Sequence, residues 1–296
     1  MRFGVREICN VVFKAATDRT IGSKTFKKGQ PVLYFDSLKT STLEQAVTTV
    51  YAQGGRGNSR LIAWDGEKTL TFTMEDALIS EMGLAILASA KLFEADSTKG
   101  DTLLVHVSEV TSTGKVTKKP ATTENTGIAF YALEMNASGD IIGEPITAEI
   151  AKTEGEPGKG YAITTGVEEN KVYLIDYYTE VASGATQIDI EPQSFGGNFY
   201  IEADTLFRDT DGADHAAQFI IPNGKIQSNF TLSMASTGDP STFTFTVDAF
   251  PGYVNGDLTK KVLSAIQILG EDTDVSVNDP AGDLEDSTPY DDESDT

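Results

Sequence analysis

Short alternating and β-branched segments recur along this chain about every dozen residues, separated by Gly, Asn and Asp, and that rhythm admits strands far more readily than helices. Ile8 to Phe13 and Gln30 to Phe35 open the series, the second entered through Lys28-Gly29, whose glycine tolerates a tight turn. Arg60 to Trp64 and Lys68 to Met74 flank Asp65-Gly66, a pair suited to the two central positions of a hairpin turn. Leu103 to Val107, Ile128 to Glu134, Tyr161 to Thr165 and Val172 to Thr179 continue the pattern through the middle. Asn198 to Ala203, Gln218 to Ile221, Ser228 to Met234 and Thr242 to Ala249 complete it as antiparallel strands with one wet face. The fold class is mostly β, an antiparallel sandwich or barrel with extended loops.

One helix is predicted, from about Glu75 to Ala90, because Leu78, Met82, Ile86 and Leu87 recur at helical spacing and Glu75 and Asp76 suit the positive end of its dipole. Gly83 weakens its middle. Lys152 to Gly160 is expected to be an exposed loop. Thr71-Phe-Thr-Met-Glu-Asp-Ala-Leu78 echoes Thr244-Phe-Thr-Val-Asp-Ala-Phe250, as two half-buried strands with one alternating code would.

Asp36 to Asn58 is longer than an ordinary connection and is expected to be an arm. Leu38, Leu43, Val47, Val50 and Tyr51 make it too apolar for a solvated linker, so these five are the candidate subunit-interface residues. Ordering such a segment costs about 1–2 kcal/mol per residue, which five buried side chains at roughly 1.5–3 kcal/mol each offset only in part. Strand addition to a neighbouring copy would supply the rest.

Length and charge set the class. With 296 residues the core needs no disulfide, and Cys9, the single cysteine, reads as a small buried hydrophobe. Forty-five acidic against 23 basic residues leave a net charge of −22, which disfavours a broad nucleic-acid clamp. Eleven of the acids and no base lie in residues 271–296, a C-terminal tail expected to be solvated and to contribute nothing to a core. Arg2, Arg6 and Glu7 interrupt any signal-like apolar run, and the stretch near Leu84 to Leu92 is too short to span a bilayer, so no membrane association is expected. Asn136 and Asn229 match the N-glycosylation pattern, which matters only in a secretory pathway.

Candidate chemistry is sparse. His106 and His215 are the only histidines, so a His-based triad or a zinc site has little to draw on, and both read as surface or structural residues. Gln53-Gly-Gly-Arg-Gly-Asn58 lacks the Lys-Ser/Thr and following helix of a phosphate-cradling loop. Asp209-Thr-Asp-Gly-Ala-Asp214 places its glycine too early for a calcium loop and reads as a turn. No catalytic, cofactor-binding or metal-binding residue is assigned, and the chain is expected not to be an enzyme.

Gln53 to Asn58 followed by Arg60-Leu-Ile-Ala-Trp64-Asp-Gly-Glu-Lys-Thr-Leu-Thr-Phe72 resembles the N-terminal half of bacteriophage tail tube proteins. Thr205 to Arg208, Gln218 to Ile226, Asn229 to Met234 and Gly238 to Phe243 are similar to their C-terminal strands, so that the likeness covers about half the chain. The middle region and the acidic tail exceed a minimal tube subunit. What the resemblance implies is a tail-tube-type β domain over residues 1–270, with room for an added β module at about 101–182, followed by the tail 271–296. It also implies hexameric rings of identical subunits stacked into a hollow tube in the virion tail, conducting DNA without binding it specifically. Tail sheath, tail terminator and baseplate proteins would be further partners. Two other classes stay open on the residues alone, a capsid decoration or adhesion module and a carbohydrate-active enzyme on a β scaffold.

Overall fold

A computed structural model describes residues 2–5, 7–121, 129–151, 160–168, 170–232, 236, 242–254 and 256–270. The chain divides into two compact units, one formed by residues 1–91 with 190–296 and the other by Leu92–Asp189.

The first unit is built on one antiparallel sheet. Along the chain it contributes β1 (Phe3–Val5), β2 (Asn10–Ala15), β3 (Arg19–Ile21), β4 (Lys24–Phe26), β5 (Pro31–Phe35), β6 (Leu38–Gly54), β7 (Ser59–Asp76) and α1 (Glu81–Leu87). In the second unit come β8 (Lys91–Asp96, whose first residue still belongs to the first unit), β9 (Leu103–Thr111), β10 (Lys115–Val116), β11 (Phe130–Met135), β12 (Ile146–Ile150), β13 (Tyr161–Thr165), β14 (Val172–Val181) and β15 (Ser183–Asp189). The first unit resumes with β16 (Asn198–Asp209), β17 (Asp214–Ile226), β18 (Phe243–Ala249) and β19 (Ala265–Ile268).

The strand order β5-β2-β16-β17-β18-β7-β6, with β1 added to β16 and β19 to β17, curls into a nearly closed, barrel-like sheet. Period-two burial explains why these segments are strands. Val11, Phe13 and Ala15 of β2 point inward, as do Leu70, Phe72 and Met74 of β7 and Phe245 and Val247 of β18. Phe13 meets Phe35 and Phe199 edge-on, and Phe35 meets Phe245 in the same way, each such pair adding about 0.5–1.5 kcal/mol beyond area burial. The two echoing segments are direct partners: Phe245 lies opposite Met74 and Val247 opposite Phe72. Pro222 sits inside the long strand β17 without breaking it, at the irregularity where β17 leaves its partner β19 and takes up β18.

Helix α1 is shorter than the periodicity predicts. Glu75 and Asp76 are consumed by β7, paired with Thr244 and Phe243 of β18, so the chain turns helical only after Ser80, whose Oγ accepts the Gly83 amide at 3.0 Å. Ile86 and Leu87 then plug the core. The predicted strand at Ser228 to Met234 is also absent over its described part, residues 228–232. Instead, Ser228 hydrogen-bonds Ser89 at 2.6 Å, and Phe230 packs on the core.

The second unit is a six-stranded antiparallel sheet, β10-β13-β12-β11-β14-β9, with β8 and β15 paired beside each other as a two-stranded sheet. Its own core gathers Val116, Phe130, Ala132, Ile163, Tyr173, Ile175 and Tyr177. Tyr177 is fully buried, and its hydroxyl donates to Glu109 at 2.7 Å while accepting the Lys118 amide at 3.1 Å. The loop expected at Lys152 to Gly160 and the acidic tail 271–296 lie, apart from Gly160, outside the described residues.

Candidate assembly surfaces

The segment expected to be an arm is one strand of a long hairpin. β6 pairs with β7 from Leu38 opposite Asp76 out to Gly54 opposite Ser59, and the glycine-rich Gly55-Arg-Gly-Asn58 is the turn that joins them. Gly55, Gly57 and Asn58 all take positive φ there, at 78°, 97° and 50°, conformations that glycine and asparagine tolerate best. Asp65-Gly66 is therefore not the hairpin turn. Pairing runs straight past it, from Thr49 opposite Asp65 to Val47 opposite Lys68, with an extra residue on β7. Thr48 Oγ1 accepts the Glu67 amide at 2.9 Å across this bulge, and a Cβ on Gly66 would stand 2.7 Å from that oxygen. Glycine is needed there for close approach and not for a turn.

The hairpin has two halves. At its root Leu38 is buried, Leu43 packs against the core opposite Phe72, and Leu70 is buried. Beyond that every residue from Ser59 to Thr69 is exposed, so that about 35 Å of two-stranded ribbon projects from the unit at ~3.3 Å per residue. The five candidate residues thus divide. Leu38 and Leu43 serve the subunit's own core, while Val47, Val50 and Tyr51 stand on the projecting half, at 41%, 65% and 39% exposure.

Residues that the sequence did not single out join them. Leu61, Ile62 and Trp64 are each more than half exposed on β7. Val50 lies opposite Trp64 and Ala52 opposite Ile62, which puts these four on one face of the ribbon, while Tyr51 on the other face carries the Arg60 guanidinium 4.1 Å above its ring. The missed signal was the apolar content of Leu61, Ile62 and Trp64 on both sides of the alternation, which a strand with one buried face does not need. Isolated two-stranded ribbons are marginal in water, and long unpaired edges invite further pairing.

A second surface lies at the root. β19 covers only Ala217 to Ile220 of β17, and β18 begins opposite Gly224, so the sheet wall is open between β19 and the base of the hairpin. Two contiguous cavities of about 620 and 420 Å³ fill that opening and share Leu43 and Ile266. The larger is lined by Phe3, Val5, Phe207, Phe219 and Ile268 among others, with Glu7 in its wall.

The histidines occupy structural places. His106 pairs with Asp176 and meets Tyr178 edge-on, on the open face of the second unit. His215 is buried and holds Asp209 at 3.1 Å, closing the Asp209 to Asp214 turn between β16 and β17. That hydrogen bond first, with the Ala213 and Asp211 amides, keeps the Asp209 carboxyl below its ordinary pKa. Cys9 is buried, which pushes its thiol pKa up. Among the described residues no three His, Cys, Asp or Glu side chains cluster as metal ligands, and no helix is long and apolar enough to cross a membrane.

A ribbon of this length, apolar on both faces, beside a barrel-like sheet with an open wall is the geometry on which comparison with known families bears. The sequence matches the YomU/Tube protein family over residues 20–261. The chain belongs to that family. It is a phage-related, tube-like structural protein, and the match runs from β3 across both units to the segment before β19. No curated protein matches the sequence significantly.

Proposed function

We propose that this tube-family chain is the tail tube subunit of a bacteriophage, that it is not an enzyme, and that it assembles with itself into stacked hexameric rings whose bore conducts DNA. The observation that carries this is the projecting β6–β7 ribbon, which exposes Val50, Leu61, Ile62 and Trp64 together with an unpaired edge. Burying such side chains stabilises by roughly 1.5–3 kcal/mol each, and only a neighbouring surface supplies the burial. Heterologous contacts of this kind close into rings or propagate as filaments. The net charge of −22 supports passage of DNA without adsorption, since phosphate affinity grows with basic contacts.

The test is electron microscopy and sedimentation of the purified chain across a concentration series. Rings or tubes of uniform bore are the expected result. A protein that remains monomeric at high concentration, and is absent from the tails of virions, rejects the proposal.

A further inference from the structure

We infer that the outer face of β9, β14 and β11 in the second unit is a binding surface for carbohydrate, a neutral chain of pyranose rings. All of it lies within one unit.

Strand register places its residues. Alternation sends Tyr173, Ile175 and Tyr177 of β14 into the core, so Leu174, Asp176 and Tyr178 lie on the outer face. Directly opposite residues share a face, which adds Val110, Ser108 and His106 of β9, Leu133 and Tyr131 of β11, and Thr147 of β12 beyond Tyr131. Ser108, Asp176, Tyr131 and Thr147 thus form a polar row across four strands. His106 and Tyr178 flank it on one side, and Val110, Leu174 and Leu133 on the other.

The row is prepared for hydroxyl groups. His106 Nε2 bonds Asp176 Oδ1 and fixes the carboxylate, while among the described residues none donates to Oδ2. The side chains of His106 and Asp176 are about half exposed, as is Tyr131, so a ligand can reach them. Tyr131 and Tyr178 stand on neighbouring strands two residues out of register, about 7–8 Å apart. Two successive sugar rings can each lay a C–H face on one of these aromatic rings, with their hydroxyls donating to the fixed carboxylate between.

The same residues disfavour other occupants. A nucleic acid needs basic contacts, but the face carries no Lys or Arg, and Lys171 at its border is held by Glu134 and Glu168. Asp176 and the exposed Glu180 repel an acidic polysaccharide. A protein partner wants an uncharged apolar centre, and here the centre is the polar row. A flat site of this kind is weak alone. Arrayed on the assembly proposed above, it gains avidity by about a hundredfold to ten-thousandfold.

The test is affinity electrophoresis of the full chain in native gels cast with hydroxyethylcellulose, glycol chitin or soluble starch. At least one of the three should retard the wild type, equally at low and high salt, because no ion pair forms. Tyr131→Ala and Tyr178→Ala should each weaken that retardation about tenfold with the melting profile unchanged. Should either fail to fold, Ser108→Arg, which lays a long side chain over Asp176 from an exposed position, should abolish it in a folded protein. Wild type retarded by none of the three overturns the inference. So does retardation that high salt removes, or that survives in the folded variants. Each of those results leaves the tube proposal standing, and a wild type that binds sugar but never assembles removes the tube proposal alone.

Discussion

At the residue scale, the fully buried tyrosine of the second unit has its hydroxyl satisfied both as donor and as acceptor. The Tyr177 hydroxyl joins Glu109 to the Lys118 amide inside the second unit, and burial followed by the Glu109 bond pushes its pKa far up, so it stays neutral at any working pH. Burial alone would raise Glu109, but hydrogen bonds from Thr117, Tyr177 and Lys118 together hold it below its ordinary value. Tyr177→Phe should therefore destabilise the unit by about 1–3 kcal/mol, read as faster exchange of its sheet amides. Asp209 gives a pH signature. Its carboxyl pKa is depressed in the folded state, so the stabilisation it brings is present above the ordinary aspartate value of 3.8 and is lost as pH falls through the lower folded value. The melting temperature of the wild type should drop more steeply on acidification below about pH 4 than that of Asp209→Asn, and parallel curves would assign the turn's stability to its backbone alone.

Elements carry the functional distinction between root and tip. Replacing residues 48–67 by Asn-Gly, which joins Val47 to its partner Lys68 through a two-residue turn, should leave the first unit folded and abolish stacking. Circular dichroism and sedimentation read the two effects separately. Leu43→Asp, by contrast, should lower the stability of the free subunit by several kcal/mol, because Leu43 packs on the core opposite Phe72. A Leu43→Asp subunit as stable as wild type would show that the root has slack. The cap at Ser80 is a third element-scale contact, and Ser80→Ala should cost about 1 kcal/mol in urea unfolding.

For the whole molecule, alternation and turn residues determined the class. Val11 and Phe13, or Phe245 and Val247, point inward wherever they are paired, because side chains alternate along any strand, so a mostly β protein was legible before any partner was known. Each unit also has its own core, so residues 92–189 expressed alone should melt cooperatively, as should a chain in which a short linker joins Lys91 to Ile190. Loss of cooperative melting in either would show that the cores depend on each other. Pairing is another matter. Asp65-Gly66 and Gly55 to Asn58 both satisfy the chemistry of a turn, and what chose between them was a register of 17 residues against 18, which sequence spacing does not encode. The same long pairing took Glu75 and Asp76 from the helix and gave them to β7, since ladder bonds to β18 outweigh two favourable dipole contacts. Interface residues follow that rule. The sequence marked the apolar content of the arm, but exposure is a property of the assembled sheet. Only the tertiary structure could send Leu38 and Leu43 inward and leave Val50, Tyr51 and Trp64 in solvent, because the sheet ends at the root of the ribbon and, among the described residues, no other strand pairs with its outer half.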